Sequence, residues 1–562
     1  MLGLCLSSIS FIGITLWNHQ VFKLPFHLSG FLTSGWIILV LTFGGTIGYL
    51  AQFYNGLLFI GSVYFFYRLI KDIFITQRMN SVSFTPLNVT VGFLLVLMGL
   101  ALSQLNLSHY DNFSHWALAT KYLITFHALP TADQSIVTFT AYPLGSSLFS
   151  YFWLGHRPFH EGLLIVTHWG LMILSLNALM QLLTKKINQP ISYAVLLLVL
   201  LIISWLKFVP LNSVLVDDLI AVYAVGIIAG QVYLRNHLKQ LALFTAVMTG
   251  ALSLIKNSAL FFVVIIYLHF IVLWIHYLRK NQLKGQGKLA SLGLSLTTFI
   301  PFIGWQYYLK IQFAGTTSSK HAIDLDAYTH NASQKTVLEL AQIRQTFMDH
   351  LSFNRPIMAG IYSILALFLC LYLIYRWKKI GYWWIREVFL LCAVTTVGYV
   401  VSLYYMYIYS MPTHEAIRLA SFYRYMETLY VFLFVYLAMI VLLLLNTLSN
   451  HWVINLSSWL GLILALCSIG IFSWKYMDTY QKSHDEMVNK AYSIRQLVET
   501  VMEPIQSLSI LSNDEASVGS GYFYYVGTFY TMSEEVEVAY TSNEVTRGIE
   551  KIGEGDYVLY VP

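Results

Sequence analysis

The run VGFLLVLMGLALSQL at residues 91–105, followed at once by NLSHYDNFSHW at 106–116, decides how the chain is read. The first part is apolar enough to lie in hydrocarbon. The second brings an acid (Asp111) and an imidazole (His115) together, with an amine (Lys121) a few residues on. A helix needs no such cluster in order to cross a bilayer. Ionisable groups held where a membrane helix emerges mark a place where something is bound or transformed.

The composition is that of an integral membrane protein. Of 562 residues, 57% are apolar and only 11% charged, with a mean hydropathy of +0.63; soluble chains carry about 25% charged residues. Apolar runs of roughly 20 residues, each long enough for about 30 Å of hydrocarbon, recur at approximately 2–17, 31–50, 53–70, 88–106, 162–183, 191–209, 214–233, 240–255, 258–277, 289–309, 357–375, 384–406, 426–446 and 454–474. The expected fold is an α-helical polytopic bundle of about fourteen spans. Met1–Trp17 has no basic leader and no small-residue cleavage site, so it reads as a first span and not a removed signal. Cys5, Cys370, Cys392 and Cys467 all lie inside apolar runs, which points to neither a disulfide framework nor a thiolate metal site. The net charge of +6 calls for no nucleic-acid partner, because the basic residues sit mostly in short loops.

Those loops set the expected topology. Arg68, Lys71 and Arg78 share one; Lys185 and Lys186 a second; Arg235 and Lys239 a third. Arg279, Lys280, Lys284 and Lys288 fill a fourth, and Arg376, Lys378, Lys379 and Arg386 a fifth. All five fall on one side once the spans are counted, and the positive-inside rule makes that side cytoplasmic. The large connections 107–161 and 310–356, the segment 410–425 and the tail from Lys475 then face outward. Three regions result: N-terminal spans at 1–87, a core at 88–474, and a small extracytoplasmic α/β domain at 475–562. In that tail Met487, Ala491, Ile494, Leu497, Val498, Val501 and Ile505 recur at helical spacing over 485–507. The segments 522–530, 536–540 and 557–561 are rich in β-branched and aromatic residues and read as strands. The Gly519-Ser520-Gly521 stretch reads as a turn.

Further polar groups stand at the outward ends of spans. Glu161 begins one; Asp217 and Asp218 begin another, in VLVDDL at 214–219; Lys256 and Asn257 mark an outer turn. Arg418, Arg424 and Tyr425 precede a late span, after His414 and Glu415. Each has a bland reading: acids favour a helix start, and a single Lys or Arg snorkels at the interface. What the bland readings leave out is co-location, since acids and bases distant in sequence all reach one face. A carboxylate there could take the proton of an acceptor hydroxyl. Basic groups could hold a lipid-linked phosphate and stabilise it as a leaving group. A transporter of anionic lipids could use the same parts.

The arrangement over about 88–446 resembles the multi-span GT-C glycosyltransferases, which depend on polyprenyl- or dolichyl-phosphate sugars. YDNFSHW at 110–116 resembles the position of their catalytic aspartate, and the Asp-x-Phe-Ser-His-Trp pattern of bacterial cell-envelope members. Asn112 stands where an acidic pair is common, and three extra N-terminal spans precede the core. The resemblance implies Asp111, Asp217 and Asp218 as catalytic acids, with Lys256, Arg424 and Tyr425 at the donor phosphate. It leaves His115, Trp116, Lys121, Glu161 and His414 for substrate positioning. It implies no fixed metal ligands, although some relatives use Mg or Mn, which two or three carboxylates could hold. The partners it implies are a polyprenyl-phosphate-linked sugar, an envelope glycan or lipid-linked acceptor, and membrane lipids. The location it implies is the bacterial plasma membrane, with the active site facing out. An envelope polysaccharide polymerase or ligase and a lipid or polysaccharide transporter are the alternatives. FTAYPLG at 139–145 reads as a rigid turn that positions the loop.

Overall fold

The computed structural model describes residues 2–72, 95–134, 136–182, 210–281, 285–314, 325–377, 383–447 and 470–562. Among them nine helices are long and apolar enough to cross a membrane: Phe26–Thr46, Leu50–Ile70, Glu161–Leu182, Val216–Leu234, Asn257–Arg279, Gly287–Gln312, Pro356–Arg376, Arg386–Tyr409 and Phe422–Leu443. Each coincides with an expected span. Fourteen is not reached among the described residues. The expected spans 2–17 and 240–255 are helical, as Leu2–Val21 and Leu238–Ser253, but neither is among the nine, and the second is only 16 residues long. The expected span 191–209, residues 88–94 of the span 88–106, and most of 454–474 lie outside the described residues, while 95–102 is helical.

The helix Val216–Leu234 is the axis of the bundle. It is apolar all round, and an 18-residue window of it is 94% buried, as expected of a helix walled on every side. Its partners include Phe422–Thr447, Leu238–Ser253 and Glu161–Asn177. Because the Asp217–Asp218 pair opens this central helix, it is buried where a peripheral helix would leave it wet.

The first helix is held differently. Leu2–Val21 crosses Leu50–Ile70 so closely that a Cβ on Gly13 would run into the Gly61 carbonyl oxygen, the small-residue approach that membrane helices use. Its polar side chains reach neighbouring helices: Ser10 Oγ donates to the Leu57 carbonyl (2.9 Å) and Asn18 Nδ2 to Thr33 Oγ1 (2.9 Å).

The C-terminal region contains a four-stranded sheet. β1 (Ser507–Ser512) lies between β2 (Glu535–Tyr540) and β4 (Asp556–Val561), parallel to both, and β3 (Gly548–Lys551) runs antiparallel to β4. Two of the expected strands are present, at 535–540 and 556–561. The third is not: Tyr522–Thr531 is a helix. Its aromatic content favours a strand, but Phe523, Val526 and Gly527 recur at helical spacing and are buried together, so packing on the sheet overrides propensity. The expected helix over 485–507 is only Lys490–Val498, and the chain becomes β1 at Ser507 after Pro504. The chain does turn at Ser520-Gly521, with Gly521 at φ 74°.

Candidate functional site

Asp111 sits in the helical turn that opens the segment after residue 105, and Asn112–Trp116 continues as a π-helix. Such wide turns are over-represented at functional sites. The backbone N–H of Asp111 donates to His109 Nδ1 (3.1 Å). Asn112, which stands where the resembled family often has an acid, ties two distant segments together. Its side-chain oxygen accepts from the N–H of Val214 at 3.1 Å. That bond fixes the approach to the Val216–Leu234 helix, so its first-turn acids are brought up to Asp111 from more than a hundred residues away.

Asp217 is the hub. Lys256 Nζ lies 2.5 Å from Asp217 Oδ1, and Arg424 Nε lies 3.6 Å from Asp217 Oδ2. Arg424 Nη1 also donates to Asp111 Oδ2, so one guanidinium bridges the two acids. Lys256 reaches inward from an extended residue between Leu238–Ser253 and the short turn Asn257–Ala259. That turn is held by Asn257 Nδ2 to the Ala141 carbonyl (3.2 Å), and by Gly145 N–H to the Leu254 carbonyl (2.7 Å). A Cβ on Gly145 would strike the Leu254 oxygen, which accounts for a glycine at the end of FTAYPLG and fits the positioning role expected of it. Arg424 stands in the first turn of Phe422–Thr447, after a bend in which Leu419 and Ser421 have φ of 50° and 61°.

Aromatic rings enclose these charges. The Lys256 ammonium lies 5.8 Å from the Trp116 ring centroid, and the Arg424 guanidinium 5.9 Å from that of Tyr425. Trp116 packs on Tyr142 (5.2 Å), and His115 on Phe139 (4.4 Å) and Tyr142 (5.6 Å). His115 Nε2 is 4.0 Å from Asp111 Oδ2. Tyr142, Lys256, Asn257, Tyr328, Met411 and Tyr425 help to line a cleft of about 170 Å³. Three larger grooves, of about 500, 580 and 420 Å³, are mainly apolar and contain none of the expected site residues.

Burial pushes the Asp111 carboxyl up. Arg424, then His115, His109 and Lys256, outweigh burial and hold it below its ordinary value of 3.8. Burial pushes the His109 imidazole down. The pair Asp111 and His109 therefore rests as carboxylate and neutral imidazole near pH 7.

Of the expected residues, Asp111, Asp217, Asp218, Lys256, Arg424, Tyr425, His115 and Trp116 gather here. Three do not join them. Lys121 donates to the carbonyls of Phe529 (2.5 Å) and Tyr530 (3.3 Å). Glu161 accepts from Leu107 N–H (2.7 Å) and Tyr530 Oη (2.9 Å). Both are anchors for the C-terminal region. The side chain of His414 is 73% exposed, 3.7 Å from Glu415. Lys256 and Arg424, expected at a phosphate, are each already paired with a carboxylate. Asp111 and Asp217 are the carboxylates so engaged. No group of three or more His, Cys, Asp or Glu able to hold a metal occurs among the described residues.

The structure adds residues that the sequence reading passed over. Glu427, one turn after Arg424 and buried, feels the charges of Asp218, Asp217, Arg424 and Lys475. Glu427 Oε1 and Asp218 Oδ1 are buried without a hydrogen bond. An acid inside an apolar run is by itself a functional signal, so Glu427 was findable. The chain matches no family model, no curated protein and no solved structure, which leaves its own geometry to carry the functional reading.

Proposed function

We propose that this membrane protein is a glycosyltransferase that moves a sugar from a polyprenyl-phosphate donor to an extracytoplasmic envelope glycan or lipid-linked acceptor. The observation that supports this reading is the bridge Asp111–Arg424–Asp217–Lys256, with Lys256 in the wall of an aromatic cleft. Asp111, held as a carboxylate, touches Arg424, which shares Asp217 with Lys256, and aromatic rings wall the adjoining cleft where a sugar could lie. Asp111 takes the proton of the acceptor hydroxyl as that oxygen forms its bond to the anomeric carbon. The bond from that carbon to the phosphate oxygen breaks, and polyprenyl phosphate leaves with the electron pair. Lys256 and Arg424 turn from their carboxylates toward the departing charge. One displacement inverts the anomeric centre. Transport is the second reading, because Glu427 and Asp218 are ionisable groups within candidate spans. Both lie in the opening turns of their helices and not at midspan.

The direct test is purified protein with a panel of polyprenyl-phosphate sugars and plausible acceptors. Transfer from one of them is expected; folded protein that transfers from none moves the reading to transport. The pH profile offers a second test. Since Asp111 is held below 3.8, kcat/KM is expected to keep its acid limb below that value in the wild type. Arg424→Gln removes the main stabiliser of the carboxylate, so the limb should move to higher pH. A limb unmoved by Arg424→Gln would show that another group sets it.

The proposed orientation has its own check. Ser483, in the tail, is 1% exposed and a poor probe, whereas Met502 is fully exposed. An engineered Met502→Cys is expected to react with an impermeant maleimide from outside intact cells, and Lys284→Cys only after the membrane is opened. The reverse pattern would invert the topology and put the cleft on the cytoplasmic side.

A further inference from the structure

The segment that carries Asp111 is gripped by the C-terminal region along its length. Asn106 Oδ1 accepts from Arg495 Nη1 (2.9 Å), and the Leu107 carbonyl accepts from Asn489 Nδ2 (3.0 Å). Tyr522 Oη reaches the Ser108 carbonyl at 3.4 Å. The Tyr110 ring lies against Tyr522 and Tyr525, with centroids 6.4 and 5.4 Å away. Phe113 lies against Tyr522 and Phe529, at 6.0 and 5.2 Å. The two aromatic residues that flank Asp111-Asn112 are thus walled by one helix, Tyr522–Thr531.

That helix is itself fastened to the membrane part at its far end. The Lys121 ammonium caps its last turn through the carbonyls of Phe529 and Tyr530 and lies 4.9 Å from the Phe529 ring centroid. A cation at a helix C-terminus complements the helix dipole. Tyr530 Oη donates to Glu161, whose other oxygen holds the Leu107 N–H. On the opposite side, Asn112 and Arg424 fix the segment to the bundle. A reacting group on a loop is accurate only when its supporting shell is packed and hydrogen-bonded.

We propose that the helix Tyr522–Thr531 is a positioning element for Asp111, with Tyr522 and Tyr530 as its positioning residues. The proposal rests on Asp111 being the base. Neither tyrosine touches substrate; both act through residues 106–113. Loosening that segment by about 1 Å is enough to cost on the order of 10²-fold in turnover. Donor KM stays the same, because Lys256 stands on a different element.

The test uses the full chain. Amide hydrogen exchange is followed over 106–116, over β1 and over 522–531, beside steady-state kinetics. In Tyr522→Ala/Lys121→Met, exchange over 106–116 is expected to rise about tenfold or more while β1 keeps its protection. In Tyr522→Phe and Tyr530→Phe, turnover is expected to fall about tenfold at unchanged donor KM, reflecting partial loss of the supporting shell. Faster exchange over 522–531 with none over 106–116 overturns the proposal. Where β1 also loses protection, the double variant has unfolded the region, and the two phenylalanine variants decide: unchanged turnover and unchanged exchange over 106–116 overturn it. If the wild type transfers no sugar while the variants still loosen 106–116, the positioning role stands and the base assignment falls.

Discussion

Asp111→Asn is expected to lower turnover by roughly 10²–10⁴-fold, the range of a general base, while the protein stays folded. Asparagine keeps the shape and one acceptor oxygen for Arg424, but it cannot take a proton. The separation from folding is clear here because the segment has many other anchors, including Asn112 to Val214 and Leu107 to Glu161. The assay compares single-turnover transfer by wild type and variant, with thermal unfolding of both in detergent as the control. Equal transfer by the two proteins would remove Asp111 from the chemistry.

Lys256→Met is expected to act first on stability, by about 3–5 kcal/mol, the cost of leaving one partner of a buried ion pair uncompensated. Lys256 and Asp217 have side chains only 4% exposed, so little water is at hand to take over. Arg424, at 3.6 Å from Asp217, makes up part of the loss but is shared with Asp111. Adding Asp217→Asn removes the stranded charge, so Lys256→Met/Asp217→Asn should recover most of the stability without recovering activity. Neighbours in one network couple strongly; additive losses in this double-mutant cycle would mean that the pair is not the energetic unit the geometry describes. Unfolding midpoints and inactivation half-lives of the four proteins are the measurements.

Much of the fold could be read from the sequence, because a membrane span announces itself by length and apolarity alone. The nine helices long enough to cross all fall on expected runs, with ends displaced by a few residues. Site membership was legible where a charge stood against an apolar background: Asp111, Asp217, Lys256 and Arg424 all converge. It failed where a charge had a structural partner that sequence does not reveal. Lys121 and Glu161 are as conspicuous as Asp111, yet their partners are carbonyl and hydroxyl groups of the C-terminal region and, for Glu161, the Leu107 N–H. Asn112 failed the other way, since its worth is a single acceptor oxygen aimed at a backbone N–H a hundred residues on. In the tail, aromatic content pointed to a strand at 522–530, and only the burial of Phe523, Val526 and Gly527 on one side makes it a helix.

The close crossing of Gly13 and Gly61 bears on biogenesis. Leu2–Val21 carries Ser7, Ser10, Thr15 and Asn18, all buried and bonded to later parts of the chain, among them the carbonyls of Phe152 and Leu57. During synthesis those acceptors do not yet exist, and the bare hydroxyls and amide are costly in lipid. The first helix therefore reaches its final seat only after residue 61 has emerged to receive it, and the glycine pair sets how near the two can come. A bulky residue at position 61 would strand the helix at the insertion stage, and the defect would be read as missing protein in the membrane, with normal specific activity in whatever fraction assembles.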